Sequence, residues 1–465
     1  MASKSKRAAA INSSDAFKRF KIWALVGFIF KVITSLNIQE YAVKVNDQAY
    51  LVNGIWIGAD GENYLSGYFS LNKDGLFSAA EILNYWPAGY PIIIFILAIF
   101  GKTWVLTTLA IVQSLVFSYA SYFFAVQLHK TRVRKYAFVV FLLLLINPTL
   151  SLSSLSIGYE SLSASGFLMI TALIIKDLIE KNNSRLLFLM IINSTILGFI
   201  SFLQPRLLIA GLLMNLIWLI FRFKTKSFIF YFAVSLLISI VLPSTLVYRN
   251  YQAVGLSTIS TNLGITMNIG AGDKANGGYM QKDYGVPCAL SGSRADQDKQ
   301  RVECVLKWYL SNPSKALNLF YKKTLYFWSP WFNNGFLGDV YIGTMARNPW
   351  LDISPVTSIA STTKEGANLV YGSFGKFISW MWMLGGLILI FYGYKILWKL
   401  KSLERLLGTV AMSAIGTNWL ISLISIGDHR FRIPIMGLSL FLQAIGLKTI
   451  LRGGKPAMVD DPALR

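Results

Sequence analysis

The chain is a succession of apolar runs about as long as a bilayer's hydrocarbon core is thick. Runs over 22–36, 103–128, 136–150, 161–176, 186–203, 207–221, 228–247, 377–397, 406–425 and 433–450 carry almost no charge. A membrane-spanning helix needs roughly 20 such residues, fewer where neighbours shorten it. Only 14% of all residues are charged, against about 25% in a soluble domain, so most of the surface faces something other than water. The expected fold class is an all-α, polytopic membrane bundle of roughly ten to twelve helices. Lys31 is the one charge inside the first run, and a lysine near a span end is expected to snorkel to the interface.

Lysine and arginine fix the orientation. The basic start MASKSKRAAAINSSDAFKRFK, residues 1–21, precedes a first run with no small-residue cleavage signature, so it reads as a cytoplasmic tail before a retained span. The segments 129–135, 176–185, 221–227, 395–405 and 451–455 are all rich in Lys and Arg, and all fall on the tail's side by alternation. The loops 37–102, 151–160, 204–206, 248–376 and 426–432 fall on the other side. PIIIFILAIFG at 91–101 is too short to span and is expected to be a re-entrant or interfacial helix. The resulting organisation is a basic tail (1–21), an N-terminal membrane module (22–247) that includes the outer loop 37–102, an outer cap (248–376), C-terminal spans (377–450) and a second cytoplasmic tail (451–465).

The net charge of +22 follows from this loop bias and does not call for a nucleic-acid partner. With two cysteines and two histidines, no zinc-type ligand set can form, and no cofactor is implied, although an acidic pair could hold a divalent metal. Both cysteines, Cys288 and Cys304, lie in the expected cap, where an oxidising compartment would permit a disulfide; two free buried thiols are the alternative.

The polar residues that could carry chemistry lie on the outer side. Asp60 and Glu62 sit in a glycine-flanked turn soon after the first span; a carboxylate at the membrane edge can serve as a base, and an ordinary solvated Asp-Gly turn is the alternative. Tyr159 and Glu160 stand at the mouth of a later span, where a glutamate also complements a helix dipole. Arg206, Arg249 and Asn250, and the run Asp428, His429, Arg430 and Arg432 occupy other mouths. Each arginine alone could simply cap a span. Together they would form a cationic ring suited to phosphate, which guanidinium recognises in a planar, bidentate way.

These pieces, in this order, resemble the GT-C superfamily of membrane glycosyltransferases, and within it the protein O-mannosyltransferase and aminoarabinose-transferase branch. The matching residues are Asp60 and Tyr64, then WPAGYP (86–91) leading to Phe100-Gly101, Asn147-Pro148, Glu160, and Arg249-Asn250 with Gly255 and Thr261-Asn262-Leu263-Gly264. Last comes Arg430-Phe431-Arg432-Ile433-Pro434, where the family usually has Arg-Tyr-Arg-Leu-Pro. Relatives often carry two adjacent acids in the first loop; here Gly61 separates Asp60 from Glu62, and the spacing to Tyr64 favours Asp60.

The resemblance implies a GT-C-type bundle and a glycosyltransferase in a bacterial inner membrane, with its site facing outward in the cell envelope. A sugar on a polyprenyl phosphate would be the donor, and a glycan, lipid or protein the acceptor, as in protein glycosylation by mannosyltransferase-like enzymes. Transfer would invert the anomeric centre. Asp60, or Glu62, would be the base. Arg430, Arg432, Arg249 and Arg206 would bind the lipid phosphate, with Glu160, Tyr64 and His429 in the site. A transporter or flippase is the main alternative, yet such proteins bury ionisable groups at mid-membrane and these runs hold almost none. A non-catalytic scaffold of the same fold is the third reading.

Overall fold

A backbone inside hydrocarbon must satisfy its own hydrogen bonds, so each apolar run closes into a helix. The structure is a computed structural model and describes residues 2–45, 48–58, 60–223, 226–278, 285–329, 373–400, 403–454 and 456. Residues 330–372, within the expected cap, lie outside that set.

Helix α1 (Ala2–Asn37) leads to a hairpin of β1 (Tyr41–Val45) and β2 (Gln48–Val52), then α2 (Gly61–Asp74) and the short α3 (Gly89–Leu97). The bundle continues with α4 (Val105–His129), α5 (Arg134–Ile146), α6 (Glu160–Glu180), α7 (Asn183–Leu203), α8 (Leu208–Arg222) and α9 (Ser227–Val254). Then come α10 (Leu263–Ile269), α11 (Arg294–Ser311) and α12 (Pro313–Trp328), and finally α13 (Ser373–Lys399), α14 (Leu403–Ile424) and α15 (Ile433–Ile450).

Among the described residues, nine helices are long and apolar enough to cross a membrane, or ten if α5 and the turn 148–155 form one bent span. The chain is an integral, multi-pass membrane protein. Nine is one short of the expected ten to twelve, and ten meets its low end, because the run 136–150 breaks by 59° at Asn147-Pro148. Proline lacks the N–H that would continue α5, and the Asn147 side chain accepts the Leu150 N–H at 2.9 Å to start the next turn. The 91–101 run forms α3 and a 3₁₀ turn, Ala98–Phe100, too short to span. The hairpin is the one element the apolar pattern gave no hint of; it pairs Tyr41 with Val52 through Val45 with Gln48.

Hydrophobicity cannot hold helices together where the solvent is itself apolar, so close packing and interhelical hydrogen bonds must. A β-carbon on Gly393 of α13 would lie 2.0 Å from the Leu442 carbonyl oxygen of α15. Between α7, α8 and α9, Ser194 and Ser235 share a 2.8 Å hydrogen bond, and Asn215 donates to Ser235 at 3.1 Å.

Lys31 departs from expectation. It does not snorkel: it is 1% exposed, with Nζ 4.1 Å from the centre of the Phe117 ring. Its position on α1 turns it toward α4, while Phe30 and Ile33 face outward. The cation–π contact takes the place of the interface.

Beyond the spans, α10, α11 and α12 form a small polar lobe. Helix α11 begins with a capping box in which Ser293 and Asp296 satisfy each other's backbone N–H groups. Cys288 and Cys304 are bonded to each other, 16 residues apart. The lobe is fixed to the bundle by Lys323 of α12, whose buried ammonium donates to the Tyr309 hydroxyl at 2.7 Å and to the carbonyls of Leu423 and Ser425 at 2.9 and 2.6 Å. This side chain sits at the carbonyl end of α14, the negative pole of that helix, and burial pulls its pKa down to about 7. Closing a loop of this length contributes about 3 kcal/mol. Cys304→Ala is therefore expected to raise amide exchange across α11 and α12 while leaving the spans protected; unchanged exchange in the lobe would show that the bond adds nothing there.

Candidate active site

Asp60 occupies the N-cap of α2. An aspartate there ordinarily accepts a hydrogen bond from its own helix, but this side chain makes no such bond. Its Oδ2 instead accepts from Arg430 Nη1 at 2.7 Å, across 370 residues of sequence. Arg430 Nε lies 3.5 Å from Glu160 Oε1, so one guanidinium sits between two carboxylates, all three side chains no more than 13% exposed. The contact brings the start of α2, the start of α6 and the junction of α14 with α15 together at one face of the bundle.

Backbone geometry sets this meeting. Trp56 and Ser156 form a parallel bridge, with Trp56 N–H donating to Leu155 at 2.8 Å and Ile157 N–H donating to Trp56 at 2.9 Å. Gly58 turns away from it with φ +69°, and a β-carbon there would lie 2.3 Å from the Ile157 carbonyl oxygen; only glycine takes that conformation against that neighbour at little cost. A β-carbon on Gly158 would fall 2.2 Å from Glu160 Oε2, so that glycine clears the space the carboxylate fills. Beneath them the buried Gln113 of α4 donates to the carbonyls of Ser154 and Ser156, both at 3.1 Å, and accepts from the Tyr90 hydroxyl at 3.0 Å.

The other wall is the 3₁₀ turn His429–Arg432. Asp428 caps it, accepting the Arg430 N–H at 2.9 Å, and lies 3.4 Å from His429 Nδ1. Burial pushes the Asp428 carboxyl up, but the His429 hydrogen bond and the Arg430 charge outweigh it and hold the group below its usual range. Asn418 donates to the Phe431 carbonyl. Arg206 donates to the Tyr159 hydroxyl and stacks on Phe431, 3.4 Å from the ring centre. Arg432 donates to the Ser329 carbonyl at 3.3 Å and lies over Trp328. Tyr64 is buried against Tyr90, ring centres 4.8 Å apart. Burial first, then the nearby Asp60 and Glu160, hold its phenol well above the ordinary range, so it stays neutral.

The residues singled out in the sequence thus separate. Asp60, Glu160 and Arg430 form the cluster; Tyr64 packs behind it, and Arg206, His429 and Arg432 flank it. Glu62 is exposed on a different side of α2. Arg249 is spent elsewhere: it donates to the carbonyls of Leu76, Ser78 and Leu83 and to the side chains of Asn84 and Asn250. Gly58, Gly158, Gln113 and Lys323 escaped sequence reading. Gln113 had a signal, as a lone amide in an apolar run. Among the described residues no group of three or more His, Cys, Asp or Glu side chains is arranged to hold a metal ion.

A guanidinium between two carboxylates is stable only as a set, since removing one partner of a buried ion pair costs about 3–5 kcal/mol. Arg430→Met is expected to lower the unfolding midpoint by an amount equivalent to ~3 kcal/mol, and adding Asp60→Asn and Glu160→Gln is expected to restore most of it. A single variant that melts like the parent protein contradicts the coupling.

No protein-family model matches the chain, and no curated protein sequence does. Among solved structures it is similar to the archaeal oligosaccharyltransferase AglB from Archaeoglobus fulgidus, solved in complex with an inhibitory peptide and a dolichol-phosphate. The identity is 12% and the TM-score 0.46, over 93% of this chain and 51% of that one. The chain thus spans about half the length of the protein it matches.

Proposed function

We propose that this protein is a GT-C-type membrane glycosyltransferase that moves a sugar from a polyprenyl-phosphate donor to an acceptor hydroxyl. The observation that carries the reading is the Asp60–Arg430–Glu160 cluster, built from the same residues whose order along the chain resembles that superfamily.

A second feature supports it. An apolar cavity of about 800 Å³ opens beside the outer part of α1, lined by Phe30, Ile33, Trp56, Ile57 and Leu152. Ile57 is three residues before Asp60, and Leu152 begins the stretch that ends in Glu160. An isoprenoid tail in this cavity would bring its phosphate to the cluster. The contacts with Asp60 and Glu160 use Nη1 and Nε of Arg430, so Nη2 remains for a phosphate oxygen.

In the reaction, the acceptor oxygen forms a bond to the anomeric carbon from the face opposite the phosphate, and the configuration inverts. The carbon–oxygen bond to the phosphate breaks with its electron pair on the leaving oxygen. Asp60 takes the acceptor's proton. Arg430, with Arg206 and Arg432 beside it, stabilises the lipid phosphate; one such donor is worth roughly 2.7–4 kcal/mol by analogy with oxyanion-hole deletions. The lysine- and arginine-rich loops fall, by alternation of the spans, on the side away from the cluster, which supports an outward-facing site.

The test is a transfer assay on purified protein in lipid bilayers, offering a panel of polyprenyl-phosphate sugars and following release of lipid phosphate. Asp60→Asn is expected to cut turnover by at least ~100-fold, the usual worth of a positioned base, with donor binding retained. Turnover at the parent rate in that variant sinks the assignment of Asp60.

A further inference from the structure

Helices that face each other normally do so through apolar stripes. Helix α2 and helix α11 do not. Asn63, Ser66 and Ser70 of α2 and Arg294, Gln297 and Arg301 of α11 line a shared cavity of about 610 Å³. Each set recurs at helical spacing, three or four residues apart, so each is one face of its helix. Two polar stripes confront each other across a gap and are not packed together.

The cavity is firmly built. Its far wall includes Tyr85 and Thr261, and that wall is held by the arginine that the cluster does not use. Arg249 fixes Leu83 and Asn84, Asn250 holds the carbonyls of Thr258 and Ile259 at 2.7 and 2.9 Å, and Thr261 N–H donates to the Asn84 carbonyl at 3.0 Å. The ion pair of Arg294 with Glu81 crosses between the walls at 2.8 Å, both side chains more than half exposed. Exposed pairs of this kind contribute little and can yield to a ligand.

The cavity also has a definite relation to Asp60. At about 100° per residue, the face of α2 carrying Asn63, Ser66 and Ser70 lies roughly a quarter turn from the face carrying Asp60 and Tyr64. Glu62, at the start of α2, lines the same cavity. Ile57, on the other side of Asp60 in sequence, lines the apolar one. Asp60 therefore stands on the stretch of backbone between an apolar and a polar cavity.

We infer that the polar cavity between α2 and α11 is the acceptor subsite and takes a hydroxyl-rich saccharide segment. This rests on the transferase reading. Pockets for apolar or drug-like molecules are lined mainly by hydrophobic side chains; this lining is mainly polar. The Ser70 and Thr261 hydroxyls and the Gln297 amide already donate to the carbonyls of Ser66, Asn84 and Gly292 and keep acceptor capacity, while Lys44, Arg294 and Arg301 supply donors, the mixture a polyol requires. Its charges are of both signs, Lys44, Arg294 and Arg301 against Glu62 and Glu81, which suits a neutral or weakly anionic partner better than a polyanion.

Binding is measured by saturation-transfer NMR on the full chain in lipid nanodiscs, without donor, using maltotriose, mannotriose and chitotriose and a neutral hexapeptide as probes. At least one saccharide is expected to bind, and both Ser70→Phe, which fills the cavity, and Arg301→Ala, which only trims α11, are expected to weaken it tenfold or more. No saccharide binding, binding that both variants leave unchanged, or binding of the peptide alone overturns the inference. The two readings fail separately. Donor consumption whose acceptor KM ignores Ser70→Phe and Arg301→Ala removes the subsite and leaves the transferase. Saccharide binding in the cavity without consumption of any donor removes the transferase.

Discussion

The geometry of one face of the bundle hangs on one guanidinium. Arg430 reaches Asp60 at the start of α2 and Glu160 at the start of α6, while its own backbone is tied down by Asp428. A charge at the membrane edge is costly to desolvate unless it is paired, so each of the three residues makes the position of the other two worth keeping. The bridge between Trp56 and Ser156, the turn at Gly58 and the clearance at Gly158 then follow as what the backbone must do to bring the carboxylates within reach.

The same face is braced from the lobe. Lys323 ends α14 by taking the carbonyls of Leu423 and Ser425, and the residues that follow run directly into the turn bearing Arg430. Gly427 fits between because it has no side chain: a β-carbon there would meet Lys323 at 2.6 Å, and its N–H donates to the Gly277 carbonyl at 2.8 Å. The lobe and the cluster are consequently parts of one framework.

The spans were legible because hydropathy and length report directly on burial in hydrocarbon, and the alternation of basic loops reports on crossing. The candidate residues were legible as types at span mouths. What pairs with what was not. Arg249 and Arg430 look alike in sequence, each an arginine opening or closing an apolar run, yet one is absorbed by five carbonyl and amide oxygens and the other meets two carboxylates. That difference depends on which loops fold back to meet them, and no local pattern encodes it. Lys31 shows the same blindness at the level of one helix: composition places it near a span end, but the rotation of α1 against Phe117 decides whether it faces lipid or protein. The hairpin was invisible because two five-residue strands leave no apolar period strong enough to stand out beside the spans.

The separation of Asp60 from Arg430 also has a meaning in time. Polypeptide emerges from the ribosome at about 5–20 residues per second; with 370 residues between the two, roughly 20 to 70 seconds pass before the arginine exists. For that interval the aspartate has no Arg430 to pair with, although its segment can already bridge to Ser156. Every span between the two residues must enter the membrane before the pair can form. The ion pair is therefore among the last contacts the nascent chain can make, and a chain that stalls before its final span carries both carboxylates and no means of holding them.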